Sequence, residues 1–119
     1  MAGRGRGARL KGANFERQLA KILTEKTKFE WSRGLGQTRR GGAEVCDVCS
    51  DALPDLHIEA KRQKKCNIKA AMAQALNDIQ GTAKTPVVIT KDDHGDILVT
   101  MQMDAWIDYF NAWAKVNKK

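Results

Sequence analysis

The chain has 119 residues and a mass of 13.2 kDa, about the length of one domain. Its formal charge is +7: residues 1–69 hold 16 Lys and Arg against 8 Asp and Glu, and residues 70–119 hold 5 against 6. Its apolar stretches are too short for a membrane span or a secretory signal, and 42% hydrophobic residues are too many for a wholly disordered chain. We expect a cytoplasmic globular protein (in the host cytoplasm if viral), whose basic half faces a polyanion such as nucleic acid.

The N-terminal segment is basic and rich in glycine. Its first 12 residues contain no acid and four basic side chains: Arg4, Arg6, Arg9 and Lys11. Since such a composition cannot bury a core, we predict a flexible arm over 1–12 and a single domain over 13–116. The first helix is predicted from about Asn14, a good N-cap, to Thr27, because apolar residues recur there at helical spacing.

The middle of the chain alternates between turn residues and strand-like runs. A short strand is expected at 28–32, and a Gly-rich loop with Arg33, Arg39 and Arg40 covers 32–43. Strands are then predicted around 44–50 and 55–63, joined by the turn-forming residues 50–54.

The C-terminal half predicts a helix, a hairpin and a last helix. Asn67 begins the helix and Gly81 ends it, and strands at 86–90 and 97–101 follow. Asp104 is expected to cap the last helix, with Ile107, Phe110 and Ala114 facing the core. The predicted order is therefore α-β-β-β-α-β-β-α.

The strand at 55–63 carries the side chains that point to chemistry. Alternation places Glu59 and Lys61 on one face, together with His57, which we interpret as a partly buried side chain. If the two strands pair about residue 53, Asp47 lies opposite Glu59 on that face. Two such acids repel each other unless a cation lies between them, and their hard oxygens favour Mg²⁺ or Mn²⁺. A lysine nearby can orient or deprotonate a water and offset charge on a phosphate.

Glu16 borders the apolar stripe of the first helix and is the fourth candidate. A partly buried carboxylate needs compensation, which a metal ion would supply. The alternative is an acid that is favoured in the first turn by the helix dipole.

The three cysteines, Cys46, Cys49 and Cys66, are too few and too irregular for a disulfide framework. The CxxC spacing of Cys46 and Cys49 is also found in zinc and redox sites. Strand residues three apart face opposite sides, however, so we expect half-buried, reduced cysteines.

Asp47, followed after eleven residues by Glu59-x-Lys61, with Glu16 in an upstream helix, resembles the PD-(D/E)XK nuclease superfamily. The chain is most similar to the small archaeal and phage-type Holliday-junction resolvases, over about residues 11–110. The resemblance implies an α/β, restriction-endonuclease-like core: a mixed central sheet of four or five strands flanked by helices. Cys46 stands where the family name has proline. A literal Pro54-Asp55 also occurs, but it lies too close to Glu59 for an intervening hairpin, so Asp47 is preferred to Asp55.

The resemblance also implies site residues and partners. Glu16, Asp47, Glu59 and the carbonyl of Ala60 would hold Mg²⁺, with Mn²⁺ as a substitute, and Lys61 would be the catalytic lysine. Ser32 falls near a serine used by some resolvases, and Gln74 is a further candidate to face the site. Phosphate contacts are assigned to Ser32 and the basic residues Arg4, Arg6, Arg9, Lys11, Arg33, Arg39, Arg40, Lys64, Lys65 and Lys69.

The expected function is metal-dependent cleavage of four-way DNA junctions, leaving 5′-phosphate and 3′-hydroxyl ends, by a homodimer that cuts two strands. Trp106, Tyr109 and Trp113 are candidates for the dimer interface, and core filling is the alternative for each. Two other functions remain open: a sequence-specific endonuclease on the same fold, and a nucleic-acid-binding domain without catalysis.

Overall fold

The computed structural model describes residues 2–34 and 46–118, with side chains from residue 6 onward. Three helices and five strands follow in the predicted order: α1 (Ala2–Lys26), β1 (Ser32–Arg33), β2 (Val48–Cys49), β3 (Leu56–Gln63), α2 (Ile68–Asp78), β4 (Thr85–Asp92), β5 (Ile97–Thr100) and α3 (Met103–Asn117). Within the described ranges, no helix combines the length and the apolar character that a bilayer span requires.

The five strands form one mixed sheet in the order β1-β2-β3-β4-β5. Strands β3 and β4 are parallel and are connected through α2, whereas the other neighbours are antiparallel. The predicted α/β class and mixed five-stranded sheet are therefore confirmed, and the arrangement is compatible with a restriction-endonuclease-like core.

The central strand β3 is covered on both faces. Ile58 and Ala60 pack in the cluster that contains Phe15 and Leu19 of α1. The alternate residues His57 and Glu59 face the other side, where α2 packs against β3 and β4. Burial on both faces explains why β3 is nearly inaccessible from His57 to Ala60 although it carries two ionisable groups.

Helix α1 begins much earlier than the sequence predicts. It runs through the segment expected to be a flexible arm, and Asn14 lies inside the helix instead of capping it. No proline interrupts this segment, and each glycine costs a helix only about 1 kcal/mol relative to alanine. Lys11 Nζ lies 3.2 Å from Asp93 Oδ1, so the early turns of α1 are tied to the connection between β4 and β5.

Helix α3 is the second departure. Ile107 and Phe110 were expected to face the core, yet they are 39% and 45% exposed and no α3 residue is buried. Asp104 lies in the first turn, and Gln102 occupies the N-cap position. The apolar stripe of an amphipathic helix shows that one face avoids water, but it does not identify the surface that covers that face.

The α1 packing yields a stability test. Leu19 is 3% exposed, whereas Leu10, on the same helix, is 56% exposed. Leu19→Ala is expected to lower the free energy of unfolding by about 2–5 kcal/mol, because it removes buried methyl groups and leaves a cavity. Leu10→Ala is the matched control and should change it by no more than about 0.5 kcal/mol. Urea unfolding measures both, and equal losses would contradict this packing.

Candidate active site

Asp47 and Glu59 are brought together by the pairing of β2 with β3. Val48 lies opposite Ile58 in the ladder, and Asp47, which precedes β2, donates its backbone N–H to the Ile58 carbonyl at 2.9 Å. This is the register assumed from the turn at 50–54. The N–H of Ala60 donates to Asp47 Oδ2 at 2.8 Å, which holds the carboxylate against β3. Asp55 is exposed at the opposite end of β3.

Glu59 and Lys61 project from the same face of β3. The Glu59 residue is only 4% exposed, and Lys61 Nζ lies 3.2 Å from its Oε2. The Lys61 side chain remains 28% exposed, so its amine contacts a buried acid while staying accessible to solvent. Such a position suits an amine that must reach both a carboxylate and an incoming substrate.

Glu16 reaches the same region from α1. Its Oε1 accepts a hydrogen bond from Arg33 Nε, on β1, at 3.0 Å, and both side chains are partly buried. The three carboxylates of the predicted site thus have separate donors: Arg33 for Glu16, the Ala60 N–H for Asp47, and Lys61 for Glu59.

These side chains line one open cleft of about 470 Å³, which we call the acidic cleft. Its lining combines residues of α1, β1, the start of β2, β3 and α2: Arg9, Glu16, Arg33, Asp47, Glu59, Ala60, Lys61 and Gln74. Ser32 lies elsewhere, in a separate pocket with Trp31 and Cys49. The fold therefore gathers the four predicted catalytic residues and Gln74, but not Ser32.

Burial and mutual repulsion make the acids of the cleft reluctant to ionise. Burial, followed by repulsion from Asp47, raises the pKa of Glu59 to about 7, although Lys61 opposes the shift. Burial also raises the pKa of Asp47, although the hydrogen bond from the Ala60 N–H opposes this shift. A divalent cation fits this donor set, because it would stabilise both ionised carboxylates and prefers their hard oxygens. Asp47, Glu59 and the Ala60 carbonyl could hold it, with Glu16 at the edge of the cleft.

A second group of potential ligands was not predicted from the sequence. One ligand atom each from His57, Glu59 and Asp78 lies within 4.8 Å of the others, and among the described residues only this trio has such close spacing. Alternation placed His57 on the correct face but gave no reason to treat it as more than a partly buried side chain. No local signal pointed to Asp78, because the packing of α2 alone brings it to β3.

The basic residues assigned to phosphate contact differ in whether an acid already engages them. Lys11 and Arg33 are engaged by acids, Asp93 and Glu16 respectively. Five others have exposed side chains: Arg6, Arg9, Lys64, Lys65 and Lys69. Arg39, Arg40 and the side chain of Arg4 lie outside the described residues.

The cysteines next to Asp47 form a disulfide between Cys46 and Cys49, so the expectation that both are reduced was wrong. Cys46 precedes β2, and the chain bends at Asp47 before the strand begins. Cys46 and Cys49 therefore do not follow strand alternation, which would have placed their sulfurs on opposite faces. Cys66 is a free thiol whose pKa is raised by burial.

The raised pKa of Glu59 predicts a pH dependence of stability in metal-free protein. In the folded state Glu59 has a pKa of about 7. It therefore binds a proton more tightly than in the unfolded state, where its pKa is near 4.5. Proton binding by Glu59 therefore stabilises the folded state fully below pH 4.5, and this stabilisation is lost as the pH rises through about 7. Wild type should therefore lose stability in this window relative to Glu59→Gln, as measured by urea unfolding. Asp55→Asn should keep the wild-type profile, and parallel profiles for wild type and Glu59→Gln would refute the assignment.

Comparison with known proteins agrees with this arrangement of elements. Residues 7–118 match the model of the family described as "Phage putative PDDEXK endonuclease". No curated protein matches the chain, and neither does any solved structure. The family match confirms the superfamily resemblance and spans all five strands and every residue of the acidic cleft. Because it covers nearly the whole chain, the protein belongs to this phage family of PDDEXK endonucleases.

Proposed function

We propose that this protein is a Mg²⁺-dependent endodeoxyribonuclease that cleaves branched DNA, specifically the four-way Holliday junction, to 5′-phosphate and 3′-hydroxyl ends. Its membership of an endonuclease family supports phosphodiester hydrolysis in DNA. The observation that carries the proposal is the convergence of Glu16, Asp47, Glu59 and Lys61 in one open cleft. Mn²⁺ is expected to replace Mg²⁺, because both ions accept carboxylate and carbonyl oxygens.

The residues of the cleft have distinct roles in this proposal. When bound, a divalent cation supplies Lewis-acid stabilisation of the charge that develops on the phosphate and the leaving oxygen. Asp47 and Glu59 would hold that ion, and the Ala60 N–H keeps Asp47 in position. Lys61 Nζ, partly exposed and next to Glu59, would orient the attacking water and offset negative charge on the phosphate.

Exposed cations next to the cleft support a substrate with a phosphate backbone. Arg9 lines the cleft from α1, and Lys64 and Lys65 follow directly after β3. Contacts of this kind make binding strongly salt-dependent and largely independent of base sequence. In a chain of 119 residues whose sheet, α1 and α2 build the core, recognition of a branch by its shape is the economical form of selectivity.

A second copy of the chain is the protein partner in this proposal. Trp106, Phe110 and Trp113 form an aromatic row on α3, with neighbouring ring centroids 5.2 and 6.1 Å apart. The three rings are 45–58% exposed, whereas Ala105 and Ala112, about a quarter turn away around α3, line a pocket with Thr85. The row carries no cation and therefore does not suit DNA. Paired cuts require two clefts and each chain supplies one, so we assign the aromatic row to a twofold dimer.

Removal of one acid of the cleft should abolish cleavage of the junction but not binding to it. Asp47→Asn is expected to abolish Mg²⁺-dependent nicking of a labelled four-way junction, and Lys61→Met to slow it by about 10²- to 10⁴-fold. Junction affinity of Asp47→Asn should be nearly unchanged, because Asp47 faces the cation and not the phosphate backbone. Asp55→Asn is the matched control and should cut like wild type.

The same assay discriminates the alternatives. Paired nicks in the junction and intact linear duplex of the same sequence support the proposal. Cutting confined to one duplex sequence would indicate a sequence-specific endonuclease. Tight binding without cleavage, with or without Mg²⁺, would indicate a binding domain.

The dimer is tested by placing a charge in the aromatic row. Phe110→Glu should convert a dimer into a monomer, because a twofold interface would bury two facing carboxylates. Val99, 62% exposed on β5, provides the control Val99→Glu, which should remain dimeric. Light scattering coupled to size-exclusion chromatography gives the mass of each. A monomeric wild type, or a dimeric Phe110→Glu, would overturn the assignment.

A further inference from the structure

The side of β3 that faces α2 carries a cluster of three ligating side chains, of which the proposed DNA cleavage uses only one, Glu59. We call His57, Glu59 and Asp78 the His57 cluster. His57 is 1% exposed and Glu59 4%, whereas the side chain of Asp78 is 18% exposed. His57 and Asp78 do not line the acidic cleft, so Glu59 alone is shared between the two places.

The electrostatics of the cluster favour a cation. Asp78 is the last residue of α2, where the helix dipole is negative, and the last turn of α2 contains no basic residue. Its carboxylate approaches Glu59 closely enough to oppose ionisation of that buried acid. Two carboxylates and a helix C-terminus thus bring negative charge to one largely buried position, which is costly unless positive charge accompanies it.

The spacing of the cluster is that of ligands around one ion. His57 Nε2 lies 3.9 Å from Asp78 Oδ2, and one ligand atom from each of the three residues lies within 4.8 Å of the others. Two ligands bound at about 2.1 Å lie at most about 4.2 Å apart, so small side-chain movements close the site. One imidazole nitrogen with two carboxylate oxygens is a donor set for transition metals, since Mg²⁺ rarely takes nitrogen ligands.

We propose that the His57 cluster is a binding site for a divalent transition-metal ion such as Zn²⁺, separate from the Mg²⁺ position in the acidic cleft. The ion would enter past Asp78, the most exposed of the three ligands. It would join β3 to the C-terminal end of α2 and restrain the Glu59 carboxylate that faces the cleft. The site is inferred from the side chains alone and does not depend on DNA cleavage.

The test uses the two histidines of the chain, His57 and His94. Full-length, metal-free protein labelled with ¹⁵N is titrated with Zn²⁺, and the imidazole nitrogens are followed by long-range ¹H–¹⁵N correlation spectra. One His57 nitrogen should show the large shift of metal ligation, with about one ion bound per chain. His94 is exposed and outside the cluster, so His94→Asn should assign the spectrum without altering binding. Because this experiment uses the wild-type side chains, it does not depend on the folding of a core variant.

Variants then define the ligands. Asp78→Asn and His57→Gln should each weaken Zn²⁺ affinity at least about tenfold, as measured by calorimetry. Asp55→Asn should leave it unchanged, because Asp55 is exposed and lies in neither the cleft nor the cluster. Zn²⁺ that binds without shifting His57, or with full affinity in Asp78→Asn, would overturn the site while leaving the proposed nuclease intact. Zn²⁺ ligation by His57 in a protein that fails to cleave junctions would support the site and refute the proposed function.

Discussion

The structure depends on negative charge held inside a sheet. Glu59 lies on the central strand with 4% of its surface exposed, and both Asp47 and Asp78 lie close enough to oppose its ionisation. Unpaired carboxylates in such a position would destabilise the fold. Lys61 provides part of the compensation, and the remaining charge favours cations. The fold must balance this buried negative charge in order to be stable, and the same charge makes the site chemically useful.

The proposed function depends on where these buried carboxylates come close to solvent. On one side, the acidic cleft opens between α1 and the sheet, with Arg9 and Lys61 accessible to a phosphate backbone. Membership of a PDDEXK endonuclease family agrees with a carboxylate and lysine centre acting on DNA. On the other side, Glu59 lies close to His57 and Asp78, next to α2. One buried glutamate thus connects two environments of different ligand chemistry.

Three sequence-based expectations were wrong for related reasons. The first helix, expected from about Asn14, already begins at Ala2, and its Lys11 pairs with Asp93. Helix α3, expected to pack on the core, leaves its aromatic row exposed. Cys46 and Cys49 join in a disulfide because the chain bends before β2 begins. In each case the outcome was decided by contacts with residues distant in the sequence or by a local bend, which composition and periodicity do not show.

The sequence by itself determined the order of the elements and the core of the acidic cleft. Period-2 alternation placed Glu59 and Lys61 on one face, and the turn at 50–54 set the register in which Val48 pairs with Ile58 and the Asp47 carboxylate reaches β3. Both are local relations, governed by strand geometry over a few residues. Only the tertiary structure decided that Asp78 approaches Glu59, that Glu16 pairs with Arg33, and that the aromatic row is exposed. These relations depend on how helices pack against the sheet, and packing is set by the summed contacts of many side chains instead of by any local pattern.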